Sequence, residues 1–330
     1  MMRLPVFTYR TPRNAAEVVK ILGTEGPAAQ IVAGGTDLYP NMKRRQREPK
    51  VVVSLRRIAG LRGIVWEEDG TLHLGANTTL REIERDARIK EQLPGLWQAV
   101  VSISTPTLRN MGTIGGNACL DTRCFYLNQN FEWRRTINHC LKCGGDTCWT
   151  APGSENCWAV NSADTVPVLM ALGAKLRLLG LEGEREIDAA EMYAVTDGRE
   201  WLTRKPDELL TEIVIPPQGA ARSVYKKLRR RDSFDFPVLG VAATVEQEKG
   251  KVTKASIVLN AVGPAPVICD AAANALLGYE LKDETIHEAT LLAPKAAKPL
   301  DNTDHMPSYR KKMIRVFVGR ALNEVRARQS

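Results

Sequence analysis

A chain of 330 residues with 44% hydrophobic and 25% charged residues has the length and composition of a globular protein of two or three domains. Its net charge of +8 comes from lysines and arginines in scattered groups without interleaved aromatic residues, so we expect no nucleic-acid binding. No apolar run approaches the roughly 20 residues that span a bilayer, and the N-terminus lacks a secretory signal pattern, so we expect a cytoplasmic protein without membrane contact.

The first 60 residues alternate between helical and strand patterns. We predict a helix from 14 to 22, a strand from 30 to 33, a helix from 38 to 45 and a strand from 51 to 53. The segment between the first strand and the second helix reads Ala33-Gly34-Gly35-Thr36-Asp37. Paired glycines allow backbone N–H groups to approach a pyrophosphate closely, so this turn is a candidate anion site.

A second glycine segment follows a predicted hairpin at 63–76 and predicted helices at 79–87 and 93–103. It reads Thr113-Ile114-Gly115-Gly116-Asn117. Neither segment matches the G-x-G-x-x-G or P-loop pattern, and a single Gly-Gly pair is most often a turn. The presence of both favours a site for a phosphate-bearing ligand.

Cysteine is the unusual residue of this chain. Six of the seven cysteines fall within 39 consecutive positions: Cys119, Cys124, Cys140, Cys143, Cys148 and Cys157. An odd number in a cytosolic chain argues against disulfides, and the polar segment from 118 to 160 has no periodicity, which predicts a long functional loop. Zinc or an iron–sulfur cluster would suit it. The pair Cys140-x2-Cys143 is zinc-like, but no second pair lies nearby, and the residues alone do not select four ligands.

Regular patterns resume after the cysteine-rich segment. We predict elements at 165–172 and 175–179, a strand at 209–215, and a domain boundary at Pro216-Pro217-Gln218-Gly219. Beyond the boundary, the patterns predict strands at 223–228, 238–247 and 252–260 and helices at 270–277, 283–293 and 309–326.

The chain resembles the medium, FAD-binding subunits of the xanthine oxidase and carbon monoxide dehydrogenase family. The resemblance runs from Phe7 to the C-terminal helix and includes residues 33–37, 109–117, 162–164 with Pro167, and the segment around Lys226. It implies an α+β protein. The implied domains are a two-subdomain FAD-binding fold of the PCMH/vanillyl-alcohol-oxidase type at 1–58 and 59–217, with an iron–sulfur loop insertion at 118–160, and a C-terminal α+β domain of the CO dehydrogenase flavoprotein type at 218–330.

The cysteine-rich insertion of about forty residues resembles the one in beta subunits of 4-hydroxybenzoyl-CoA reductases. Gaps of 15, 7 and 8 residues separate Cys124, Cys140, Cys148 and Cys157, which matches the ligand spacing of the [4Fe–4S] cluster in those subunits. The resemblance therefore implies a [4Fe–4S] cluster on these four cysteines. Cys119 and Cys143 would then be non-ligands, and Cys269 lies far away along the chain.

The same family resemblance implies which residues contact FAD. The pyrophosphate would be held by the backbone amides of Val32, Ala33, Gly34, Gly35, Thr36, Asp37 and Leu38 and of Thr113, Ile114, Gly115, Gly116 and Asn117. Asp164 would contact the ribityl or adenosine side, Lys226 would lie near the isoalloxazine, and Leu210 would pack against the ring. As simpler alternatives, Asp164 could cap the following helix and Lys226 could be a surface lysine.

The resemblance implies an electron-transfer subunit with no catalytic residue of its own. Electrons would pass from reduced ferredoxin to the cluster, then to FAD, to a [2Fe–2S] small subunit and to a molybdopterin-containing large subunit, in a dimerised heterotrimer. There, 4-hydroxybenzoyl-CoA would lose its ring hydroxyl. The alternatives are an aldehyde oxidase of this family with the opposite electron flow and, from another class, a zinc-containing nucleic-acid-binding protein.

Overall fold

The N-terminal part of this computed structural model, which describes residues 3–328, is a three-stranded parallel sheet with two helices. Its strands are β1 (Thr8–Arg10), β2 (Ala29–Val32) and β3 (Val51–Ser54), and its helices are α1 (Ala15–Glu25) and α2 (Leu38–Lys43). The central strand β3 is buried at every position, because a parallel sheet is covered on both faces. The elements predicted for the first 60 residues are confirmed.

The second part is an antiparallel sheet of five strands in the order β4-β5-β8-β6-β7. The strands are β4 (Ile64–Trp66), β5 (Leu72–Gly75), β6 (Lys175–Gly180), β7 (Gly183–Asp188) and β8 (Leu209–Ile215). The helices in this stretch of chain are α3 (Leu80–Arg85), α4 (Ala87–Gln92), α5 (Pro94–Ser102), α6 (Pro106–Arg109), α7 (Ile114–Ala118), α8 (Phe131–Thr136), α9 (Val166–Ala171) and α10 (Ala189–Met192). The sheet shares one apolar core with these helices other than α6 and α8.

The cysteine-rich segment is a long insertion that leaves the second part of the fold and returns to it. Its two ends meet where Arg123 and Val160 exchange backbone hydrogen bonds of 2.8 and 2.7 Å. Between these residues, the described regular structure is α8 and a 3₁₀ turn at Leu141–Cys143. The predicted long loop is thus confirmed. The helix α8 was not predicted, although Asn130 begins it with a side chain that accepts from Trp133 N at 2.8 Å.

The C-terminal part is an antiparallel sheet in the order β12-β11-β10-β9, packed against helices. The strands are β9 (Arg222–Leu228), β10 (Leu239–Glu248), β11 (Lys251–Asn260) and β12 (Val267–Ile268), and the helices are α11 (Asp270–Asn274), α12 (Asp283–Leu292) and α13 (Pro307–Ala327). The strands and helices predicted beyond the Pro-Pro boundary are confirmed.

The C-terminal sheet contacts the second part through β9 and α5. A Cβ atom on Gly95 would lie 2.9 Å from Ser223 Oγ and 3.0 Å from the Ser223 carbonyl carbon, so the helix and the strand meet closely and a larger residue would have to displace Ser223. Within residues 3–328, no helix has the length and apolar character needed to cross a membrane.

Candidate functional site

The two glycine segments pack against each other. A Cβ atom on Gly34 would lie 1.9 Å from the carbonyl oxygen of Met111 and 2.9 Å from the nitrogen of Gly112, so backbone meets backbone there. A Cβ atom on Gly116 would approach the Cβ of Ala33 to 4.0 Å. The two segments, more than 70 residues apart in sequence, therefore form one surface.

The first segment carries a row of free backbone donors. It follows the buried end of β2 at Val32, and Gly35 has a φ of +73°, in the left-handed region that favours glycine. Among the described residues, none accepts a hydrogen bond from the N–H groups of the run from Gly34 to Leu38. Successive free amides around such a turn form a concave anion site, which suits a pyrophosphate.

The second segment uses its amides inside the protein. Ile114 N donates to Thr78 O at 3.0 Å, Gly115 N donates to Ala76 O at 2.8 Å, and Gly116 N donates to Thr113 Oγ1 at 3.0 Å. Asn117 N donates to Thr113 O at 2.9 Å. The sequence pattern treated the two glycine segments alike, but the structure separates them. The first segment has free amides, whereas the second donates most of its amides inside the protein and packs against the first.

Asp37, at the end of the first segment, is tied to the cysteine-rich segment. Its carboxylate pairs with the Arg123 guanidinium and accepts from Asn41 Nδ2 at 2.9 Å. Burial raises the pKa of Asp37, while Arg123 opposes the rise. The Arg123 guanidinium also lies 3.8 Å from the centre of the Phe236 ring. Sequence reasoning missed Arg123, whose one signal was its position beside Cys124.

Asp164 lies at the junction with the C-terminal sheet. It is 3% exposed, and its two oxygens accept from Tyr225 Oη at 2.7 Å and from Lys227 Nζ at 2.8 Å. Burial raises the pKa of this carboxyl, and Lys227 opposes the rise. Asp164 does not cap α9, whose first residue follows Thr165 without a side-chain cap. Asn117 fixes this turn by accepting from Thr165 Oγ1 at 2.6 Å.

Lys226 and Leu210 occupy different surroundings from Asp164. Lys226 pairs with Glu324 on α13, so it is not the lysine that reaches Asp164. Neighbouring side chains on a strand point to opposite faces, and Lys227 therefore takes that position. Leu210 is 3% exposed within the main core. Sequence reasoning missed Lys227 and Tyr225 because the pattern around Lys226 did not reveal the orientation of β9.

Replacing Lys227 by methionine should destabilise the protein by about 3–5 kcal/mol, because it leaves the Asp164 carboxylate buried without its cation. The loss should shrink as the pH falls, since a protonated Asp164 needs no cation and its folded-state pKa lies above its unfolded value. Lys226→Met is the matched control, with an expected loss of about 1 kcal/mol or less at its partly exposed ion pair. Urea unfolding at several pH values measures both, and equal losses would contradict the assignment.

The cysteine-rich segment lines a cavity of about 270 Å³ that is partly open to solvent. Four of its cysteines line this cavity, and each is no more than 8% exposed: Cys124, Cys140, Cys148 and Cys157. Most of the other walls are apolar or aromatic, from residues such as Leu127, Tyr126 and Trp149, and Lys142 and Thr150 add two polar groups. The four positions with the predicted spacing therefore face one space.

The remaining cysteines do not line the cavity. Cys143 lies just behind it: its thiol is hydrogen-bonded to that of Cys140, and its sulfur accepts from Arg134 Nη1 at 3.1 Å. Cys119 packs against the main core, and Cys269 lies in the core of the C-terminal part. All seven cysteines are free thiols.

Burial in this cavity disfavours the charged, thiolate form of its cysteines. Burial raises the pKa of the Cys124 thiol, and it raises that of Cys157 to about 11. Buried thiolates are stable only beside a compensating cation, as in a metal centre. Within residues 3–328, no group of three or more His, Cys, Asp or Glu side chains converges to hold a single metal ion. Four thiols that line one cavity are a donor set that suits either zinc or an iron–sulfur cluster.

Comparisons with known proteins agree along the whole chain. The model described as the FAD binding domain in molybdopterin dehydrogenase matches residues 5–218, and the CO dehydrogenase flavoprotein C-terminal domain matches residues 223–325. The carbon monoxide dehydrogenase medium chain of Afipia carboxidovorans is 31% identical over 98% of this chain and 97% of its own. The aldehyde oxidoreductase FAD-binding subunit of Escherichia coli strain K12 is 27% identical over 74% of this chain and 79% of its own.

A solved structure has the same fold. It is carbon monoxide dehydrogenase from Hydrogenophaga pseudoflava lacking the Mo-pyranopterin moiety of the molybdenum cofactor, with a TM-score of 0.81, 27% identity and 99% of each chain covered. Together with the two matched models, this likeness confirms the α+β fold class expected from the sequence.

Proposed function

We propose, on the premise that this chain belongs to the family of medium, FAD-binding subunits of molybdenum hydroxylase complexes, that it supplies electrons to a reductive member of that family. The family membership makes it an FAD-binding oxidoreductase subunit. The reductive direction and the substrate, 4-hydroxybenzoyl-CoA, are the further steps that we propose. The domain boundaries at 58 and 217 are part of the same proposal.

The free amides of the first glycine segment support the proposed FAD site. Five successive N–H groups without protein acceptors would hold the pyrophosphate, and the second segment would keep the turn in place. FAD supplies an exchange of either one or two electrons. Asp164 would act on this site through Tyr225 and Lys227, by fixing the C-terminal sheet against the FAD-binding part. Contacts of Leu210 and Lys226 with the flavin remain predictions.

The observation that carries the proposal is the cavity lined by Cys124, Cys140, Cys148 and Cys157. We propose that these four cysteines hold a [4Fe–4S] cluster, which supplies a one-electron centre. Their spacing is that of the 4-hydroxybenzoyl-CoA reductase beta subunits. Such a centre would accept single electrons from a low-potential donor, for which we propose a reduced ferredoxin. The partners would be a molybdopterin-containing large subunit and a [2Fe–2S] small subunit in a dimerised heterotrimer.

Anaerobic purification tests the cofactors. We expect bound FAD with iron and sulfide in [4Fe–4S] stoichiometry, and an EPR signal that appears on reduction. A colourless protein that contains zinc would contradict the proposal and would favour the zinc alternative.

The complex with its co-expressed partners tests the reaction. With reduced viologen as donor, we expect 4-hydroxybenzoyl-CoA to be converted to benzoyl-CoA. The likeness to an aldehyde oxidoreductase subunit favours one second candidate, in which the electrons flow from an aldehyde to an acceptor. Aldehyde oxidation without dehydroxylation would replace our proposal by that candidate.

A further inference from the structure

Four side-chain links join the proposed cluster site to the chain that follows the first glycine segment, residues 33–37, which we call the FAD turn. On one side lies the FAD-turn helix segment, which we define as residues 37–47. On the other lies the cysteine-rich segment, residues 118–160. The links are the Arg123–Asp37 and Arg47–Asp121 ion pairs, the bond from Gln46 Nε2 to Leu127 O at 2.6 Å, and the bond from Arg134 Nη2 to Arg44 O at 2.6 Å.

In the cysteine-rich segment, each link ends at or beside a residue whose position a bound cluster would fix. Arg123 is bonded to Cys124, and Leu127 lines the cysteine cavity. Asp121 is held by Lys142 Nζ at 2.7 Å, and Lys142 lines the same cavity. Arg134 donates to the sulfur of Cys143, whose thiol is hydrogen-bonded to that of the cavity residue Cys140. The cysteine-rich segment has little regular structure of its own, so the conformation of these link residues depends on what its cysteines bind.

In the FAD-turn helix segment, each link ends at the FAD turn or shortly after it. Asp37 belongs to the row of free amides, and Arg44, Gln46 and Arg47 lie just after α2. Holding these residues fixes the direction of α2 and thereby the conformation of the turn. A turn that is already ordered binds its ligand more tightly, because less conformational entropy is lost on binding.

We infer that FAD and the cluster bind cooperatively, with the four links as the coupling element, and Arg47 and Arg123 as positioning residues. The inference rests on the proposed function, since it needs both cofactors. A coupling between two sites is reciprocal, so FAD should also slow the loss of iron. Typical couplings of this kind change affinity by about 5- to 150-fold.

The test uses the full-length chain, freed of FAD, in cluster-loaded and chelator-stripped forms. Titration with FAD, followed by quenching of flavin fluorescence, gives the dissociation constant of each form. We expect FAD to bind about tenfold or more weakly to the stripped form. We also expect FAD to slow the release of iron to a chelator. Equal FAD affinity in the two forms would overturn the inference and leave the proposed function intact, whereas a chain that binds no iron or no FAD would refute both.

Arg47→Met isolates the link, because Arg47 contacts neither the free amides nor a cysteine. The variant should bind FAD more weakly in the loaded form, and its FAD affinity should depend less on the cluster than that of the unaltered chain. Arg45→Met is the matched control, since the ion pair shown for Arg45 is with Glu48, three residues along the chain, at 3.9 Å, and does not reach the cysteine-rich segment. An unchanged dependence on the cluster in Arg47→Met would count against the links. The comparison of loaded and stripped protein stands even if a variant folds poorly.

Discussion

Replacing Cys148 by serine should abolish the visible absorbance of the proposed [4Fe–4S] cluster. Cys148 is 5% exposed and lines the cavity with three other cysteines, so its serine variant leaves three thiolates and a hydroxyl that is a poor ligand for iron. Iron content should fall well below that of the unaltered chain after anaerobic reconstitution. Because metal binding contributes folding free energy, the melting temperature should fall as well. Iron analysis, visible absorbance and thermal unfolding measure these effects.

Cys119→Ser is the control for that experiment. Cys119 belongs to the same cluster of cysteines in sequence, but its side chain packs against the main core and does not line the cavity. The variant should keep its iron and its absorbance. Retention of iron in Cys148→Ser together with loss in Cys119→Ser would refute the proposed ligand set.

Replacing Gly34 by alanine should weaken FAD binding by roughly 30- to 150-fold, which corresponds to about 2–3 kcal/mol of overpacking. The added Cβ would lie 1.9 Å from the Met111 carbonyl oxygen, and neither neighbour is a side chain that can rotate away. This clash can be relieved only if the two glycine segments move apart. That movement displaces the free amides that would hold the pyrophosphate. Fluorescence titration with FAD measures the loss, and circular dichroism establishes that the variant is folded.

Gly60→Ala is the matched control for Gly34→Ala. Gly60 is exposed, has no positive φ, and would place its Cβ in open space. The substitution should leave FAD affinity unchanged and should stabilise the fold slightly by restricting the unfolded chain. If Gly34→Ala bound FAD as well as Gly60→Ala does, the glycine contact would not be part of the FAD site.

Much of the fold could be predicted from local patterns because its elements have strong local signals. Helix α1 has a capping Asn14 and buried residues at helical spacing, and β3 is a short run of β-branched residues. The helix α8 lacked such periodicity and is specified by little more than its cap at Asn130. The same limit applies to the cysteines, whose crowding predicted a metal site but could not separate ligands from non-ligands without the spacing resemblance.

Local patterns were enough to predict the order and type of most elements, the two glycine turns and a thiol-rich loop. These features depend on residue type and near neighbours along the chain. Three features became visible only in the folded chain: which turn has free amides, that Lys227 and not Lys226 meets Asp164, and that Arg123 joins the cysteine-rich segment to Asp37. Those outcomes depend on strand orientation and on contacts between residues up to 86 positions apart, which no local pattern encodes.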